Sequence, residues 1–138
     1  MSDRFFLDTN VIIYLYSEDE AEKRNSIYRY VNNHCCITST QALNEASNVW
    51  IKKYKWNNDT IMEYLDGIES VCDEIVLIRR KTIDQALKVK NSYGYSYYDC
   101  LMISSALESN CKTILTEDMS DGHLIYDKLT ITNPFVNT

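Results

Sequence analysis

Short apolar runs alternate with stretches of helical periodicity along the whole of this chain. Arg4 to Leu7 reads as a first strand, followed by the apolar stretch VIIYLY. A polar break then opens a helix to about Asn33, in which Ile27, Tyr30 and Val31 recur at helical spacing. Cys35 to Thr38 is a second strand, and Ser39 or Thr40 can cap the next helix, through about Tyr54. Leu43, Ala46, Val49 and Trp50 form one stripe on that helix. Asn57, Asn58 and Asp59 break the chain and cap a helix through about Cys72. Glu74 to Ile78 reads as a buried strand, and Thr82 to Lys90 as a helix. A further helix runs from about Tyr97 to Ser109, with Leu101, Met102, Ser105 and Ala106 on one face. Thr113 to Leu115 is a strand, TEDMSDG a loop, and Leu129 to Thr132 a last strand stopped by Asn133 and Pro134. Strands that alternate with helices imply an α/β fold: a mostly parallel sheet of about five strands with helices on both faces. The first strand is expected to lie centrally.

The length of 138 residues fits one domain with a substantial core, and three glycines with one proline leave little room for linkers. No apolar run reaches the length of a membrane span, and the segment MSDRFFLDTN lacks the apolar stretch of a signal peptide. A cytoplasmic location is expected. Five cysteines, an odd number without a CxxC pair, read as small buried side chains in a reducing compartment. The net charge of −6 argues against a general nucleic-acid coat protein. It does not argue against an enzyme in which a bound cation supplies the positive charge.

Part of that negative charge falls at one place. In a parallel sheet, strand C-termini and helix N-termini share an edge, where ligands bind. Asp8 ends the first strand, and Glu45 lies in the second turn of the helix after the second strand. Asp99 lies in the first turn of the helix leading to the fourth sheet strand, and Asp118 follows that strand directly, with Asp121 as its competitor in the loop. Clustered carboxylates repel one another unless a divalent cation neutralises them, and oxygen donors suit Mg²⁺ or Mn²⁺. Each acid also has a plainer role: Asp8 as a strand terminator, Glu45 as a surface residue, Asp99 as a capping-box partner of Ser96, and Asp118 or Asp121 as a solvated loop acid. His34 and His123 stand in no catalytic motif, so a protein nucleophile has little support.

The segments FLDTNVIIY, STQALNE, YSYYDCLMISSALESNC, ILTEDMSDG and ITNPF together resemble the PIN-domain ribonucleases. Among these the chain is most similar to the VapC-type toxins of toxin–antitoxin pairs. The resemblance implies a single PIN-like nuclease domain over residues 1–138, built as a three-layer sandwich. It implies Mg²⁺- or Mn²⁺-dependent hydrolysis of RNA, a small antitoxin partner, a homodimer and no membrane. Carried over by position, Asp8, Glu45 and Asp99 match the core acids, and either Asp118 or Asp121 matches the fourth. Thr116 matches a loop hydroxyl that orients these acids, and Asn10 a polar residue beside the first. The alternatives are a PIN-fold nuclease of RNA processing or of structured DNA, and a non-catalytic protein-interaction module.

Two basic runs offer contacts to RNA: Lys52, Lys53 and Lys55, interleaved with Tyr54 and Trp56, and Arg79 and Arg80 with Lys81. A solvated helix end with partly buried rings is the plainer explanation of the first run and the favoured one. The early apolar residues Ile12, Ile13, Tyr14 and Tyr16 are open to two readings, core or part of a partner groove.

Overall fold

The computed structural model describes residues 3–135. Among the described residues, six strands form one sheet, flanked by six helices. The order along the chain is β1 (Arg4–Leu7), α1 (Thr9–Leu15), α2 (Ala21–Asn33), β2 (Cys35–Ser39), α3 (Thr40–Lys52), α4 (Asn58–Val71), β3 (Glu74–Val76), α5 (Arg80–Tyr93), α6 (Tyr97–Glu108), β4 (Thr113–Leu115), β5 (Leu124–Ile125) and β6 (Leu129–Thr132). Across the sheet the order is β3-β2-β1-β4-β6-β5.

This topology explains where a site can form. From β1 the chain steps outward to β2 and β3, each in parallel register. It then crosses back through α5 and α6 to β4, which pairs with the other side of β1. The strand order therefore reverses at β1 and β4. Their C-terminal ends open a crevice, because the connections on either side of it lead away from each other. Phe6, Leu7, Ile37, Ile114, Leu115 and Ile131 are fully buried along these strands. They form the apolar heart of the sheet, and the buried Thr38 within β2 is satisfied by donating to Leu7 O at 2.9 Å.

Three departures from the sequence expectations have physical causes. The sheet holds six strands rather than five, because β5 pairs antiparallel with β6. The turn between them places Tyr126 and Asp127 at φ of 49° and 56°, closed by Lys128 N donating to Ile125 O. A left-handed turn of this kind normally advertises itself with Asn or Gly, and neither is present. The run EIVLI stops being strand at Val76: Leu77 is 51% exposed, and Ile78 N donates to Thr40 Oγ1 at 3.2 Å. Helix α6 is not amphipathic. Every residue from Cys100 to Ala106 is buried, as befits a helix covered on all sides. Its two serines are satisfied locally, Ser104 Oγ donating to Thr82 O and Ser105 Oγ to Leu101 O. The end of α3 falls at Lys52 and α5 runs from Arg80 to Tyr93, small shifts from the expected bounds.

Candidate active site

Asp8 leaves β1 and caps α1, its Oδ1 accepting from Thr9 N at 2.7 Å. Its other oxygen accepts from Thr116 Oγ1, also at 2.7 Å, at the end of β4. Thr116 is fully buried, and the same hydroxyl receives Asn10 Nδ2 and the backbone N–H of Asp118, each at 3.2 Å. Asn10 Nδ2 also donates to Asp118 Oδ2 at 2.8 Å. Asn10 and Thr116 thus tie the two strand ends into one polar cluster. Glu45 reaches it from α3, its Oε2 lying 3.5 Å from Thr9 Oγ1. Asp99 enters from the first turn of α6, where Ser96 Oγ caps the helix by accepting from Asp99 N.

The electrostatics confirm that these acids share one field. Burial pushes the Asp8 carboxyl from 3.8 up to about 7, against the hydrogen bonds from Thr116 and Thr9, with the charges of Asp99 and Asp118 raising it further. Burial also raises Glu45, opposed by Gln41 and Thr9 and reinforced by Asp99 and Asp118. Asp99 is raised by burial first, opposed by Ser96, with Asp118 adding to the shift. Among the described residues, no lysine or arginine offsets these three carboxyls.

Asp121 stands apart. Its Oδ1 accepts from Asn133 N at 2.8 Å, which fastens the loop to the end of β6. It acts on none of the three raised carboxyls, whereas Asp118 acts on all three. The geometry therefore gathers Asp8, Glu45, Asp99 and Asp118 and leaves Asp121 outside.

Among the described residues, no three His, Cys, Asp or Glu side chains stand close enough to hold one ion without rearrangement. The donor set nevertheless fits a hard divalent cation: all four groups are carboxylates, and among the described residues no lysine or arginine neutralises the three raised ones. The histidines lie elsewhere, His34 stacked on Phe5 and His123 hydrogen-bonded to Tyr95. All five cysteines are free thiols, and burial pushes Cys36 and Cys72 up to about 12, which suits packing rather than nucleophilic attack.

One cluster escaped the sequence reading. Tyr14 Oη donates to Glu117 Oε1 at 2.6 Å, and Lys23 Nζ lies 3.2 Å from Glu117 Oε2. This clamp holds the loop from its outer side, between Thr116 and Asp118. Glu117 belongs to the TED run, but its partners lie 94 and 103 residues away, beyond any local pattern. The basic runs are dispersed. Lys52, Lys53 and Lys55 are exposed, and Lys53 and Asn10 both line a 470 Å³ groove. Arg79 and Arg80 are exposed beyond the C-terminal end of β3, and Arg80 is paired with Asp84. Of the early apolar residues, Ile12 is core, while Ile13, Tyr14 and Tyr16 are only partly covered.

Valine at position 116 keeps the shape of threonine and removes a hydroxyl with three partners. Thr116→Val should lower the free energy of unfolding by about 2 kcal/mol, because buried groups lose their bonds. The measurement is a urea midpoint at constant slope. An unmoved midpoint would show that this hydroxyl does not fasten β1 to β4.

Acidic side chains gathered at the switch point of a parallel sheet define an α/β protein with an anionic site. The chain belongs to the PIN domain family, whose model matches residues 5–120. No curated protein matches it in sequence. Solved structures share the fold at low identity. A toxin–antitoxin complex from Klebsiella pneumoniae has 19% identity and a TM-score of 0.69, covering 94% of this chain and 97% of that one. VapBC2 from Rickettsia felis, bound to a DNA fragment from its promoter, has 18% identity and a TM-score of 0.68, covering 94% and 99%. VapC20 of Mycobacterium tuberculosis, described as a toxin that cleaves the sarcin-ricin loop, has 14% identity and a TM-score of 0.64, covering 80% and 86%.

Proposed function

We propose that this chain is a Mg²⁺- or Mn²⁺-dependent endoribonuclease, the toxin of a toxin–antitoxin pair. The observation that carries the reading is the convergence of Asp8, Glu45, Asp99 and Asp118, where among the described residues no basic side chain offsets the first three. A structural protein gains nothing from four acids in repulsion. Membership of the PIN domain family supports nuclease chemistry, and the toxin–antitoxin structures support a small antitoxin partner. A single domain acting as a cytoplasmic homodimer completes the reading. Among the described residues, no helix is long and apolar enough to cross a membrane.

Asp8, Glu45, Asp99 and Asp118 would hold the ion. When bound, it supplies charge stabilisation at the scissile phosphate and a more acidic water. Thr116 keeps one Asp8 oxygen oriented, and Asn10 restrains Asp118, so the acids meet substrate from fixed positions. Lys53 is the best placed of the basic residues to meet an RNA phosphate, since it lines the same groove as Asn10. Lys52, Lys55, Arg79 and Arg80 lie exposed for outer contacts.

The purified chain should cut single-stranded RNA when Mn²⁺ or Mg²⁺ is added, and EDTA should abolish the cleavage. Sequencing the new 5′ ends in cellular RNA would then define the target. RNA left intact under both ions, with the protein folded, would reject the proposal.

A further inference from the structure

The loop after β4 has little backbone hold at the point where it carries an acid. Thr116 N still pairs with β6, donating to Thr132 O at 3.0 Å. The next two N–H groups go to side chains instead, Glu117 N to Asn10 Oδ1 at 3.4 Å and Asp118 N to Thr116 Oγ1 at 3.2 Å. Met119 is buried, whereas Asp118 is exposed. An exposed acid repelled by Asp8, Glu45 and Asp99 gains by swinging away into water. The direction of the loop opposes that swing, and Glu117 sets it from the adjoining position.

Two residues of α1 grip the loop from one helical turn apart. Asn10 holds Asp118 Oδ2 at 2.8 Å, and Tyr14 holds Glu117 Oε1 at 2.6 Å. A spacing of four residues puts both on one face of the helix. Lys23 joins from α2, its Nζ donating to Tyr14 Oη at 3.1 Å and to Glu117 Oε2 at 3.2 Å. An ammonium has donors only, so Tyr14 Oη accepts on that side and its single hydrogen is left for Glu117. The ring is held independently of its hydroxyl. It meets Phe135 edge-on at 5.2 Å, and Lys23 Nζ lies 4.3 Å from its centroid. Lys23 and Glu117 keep 31% and 25% of their side-chain exposure, and ion pairs open to water contribute little to stability. What the clamp supplies is direction. It turns a fifth carboxylate outward and leaves Asp118 on the side of the other acids.

We propose that Tyr14 is a positioning residue for the reaction, acting through Glu117 on Asp118, with Lys23 orienting its hydroxyl. The inference rests on the metal-dependent reading given above.

The test is Mn²⁺ binding to the metal-free protein, read from the electron paramagnetic resonance signal of the free ion. Tyr14→Phe keeps the ring and removes the hydroxyl alone. It should weaken Mn²⁺ binding about tenfold, the scale at which groups that orient metal ligands act. Glu117→Ala should weaken it at least as much. Adding Tyr14→Phe to Glu117→Ala, or to Asp118→Asn, should change binding by less than about twofold, because the chain of contacts is already cut. In RNA cleavage, Tyr14→Phe should raise the Mn²⁺ needed for half-maximal rate and leave KM for RNA within about twofold of the parent. Parent-like Mn²⁺ binding by Tyr14→Phe or by Glu117→Ala, with Asp118→Asn weakened, would overturn this proposal and leave the metal-dependent reading standing. A parent that binds no Mn²⁺ would overturn both. A full further loss when Tyr14→Phe is added to Asp118→Asn would overturn the proposal by showing a general loosening of the fold. Tyr14 also lines the groove shared by Asn10 and Lys53. A raised KM for RNA with unchanged Mn²⁺ binding would therefore overturn the proposal in favour of direct contact with the substrate.

Discussion

Asparagine in place of Asp118 or Asp99 should lower Mn²⁺-supported RNA cleavage by roughly 10²- to 10³-fold, whereas Asp121→Asn should leave it within about threefold. The contrast follows from how the loop is fastened. Asp118 is held by Asn10 and by the N–H bond to Thr116, and its charge bears on Asp8, Glu45 and Asp99. Asp121 spends one oxygen on Asn133 N and faces the end of β6. Asparagine keeps the size of the side chain, so the fold is retained while one negative charge leaves the site. Rates measured beside melting curves separate chemistry from stability. Equal losses at 118 and 121 would mean that both acids serve the reaction, and an active Asp99→Asn enzyme would remove α6 from the site.

The metal-free protein should lose stability as the pH rises from about 4 to 7, and Asp8→Asn should remove most of that slope. In the unfolded chain Asp8 ionises near 3.8, while in the fold it holds its proton up to about 7. Below the lower value the carboxyl is neutral in both states and costs nothing. Between the two values the unfolded chain alone releases the proton, so unfolding gains with each step in pH. Above the upper value the penalty is complete, at about 4 kcal/mol for a shift of this size. Denaturant titrations at pH 4.5, 6 and 8 in EDTA measure it, with Asp8→Asn as the reference. Adding Mn²⁺ at pH 8 should restore stability, because a ligand that binds only the folded state favours it by mass action. A flat profile in EDTA would show that Asp8 is not desolvated in solution.

Much of the architecture is legible in the sequence, and the reasons differ by element. Strands β1, β2, β4 and β6 announce themselves because their apolar runs are bounded by polar breaks. Helix α6 was legible as a helix but not as one buried all round: Ser104, off the expected apolar face, looks solvent-facing until its hydroxyl is seen bonded to Thr82 O. Strand β5 was hidden because Tyr126 and Asp127 adopt left-handed backbone without the residues that usually betray it. In the site, topology alone sends Asp8, Glu45 and Asp99 to one edge. The choice between Asp118 and Asp121 was not legible, since a loop has no periodicity and its orientation depends on which hydrogen bonds close. The clamp of Tyr14 and Lys23 on Glu117 was hidden for a related reason, being a contact between distant segments.

The hydrogen bond from Thr116 to Asp8 spans 108 residues. Asp8 is made before β2 and β3 and Asp118 after β4, the strand that carries Thr116 to its partner. During synthesis the emerging chain can order β1 to β3 and still lack half of its acids. The cluster of acids is therefore completed only once β4 has docked beside β1, and a folding intermediate built from β1 to β3 carries half of the site.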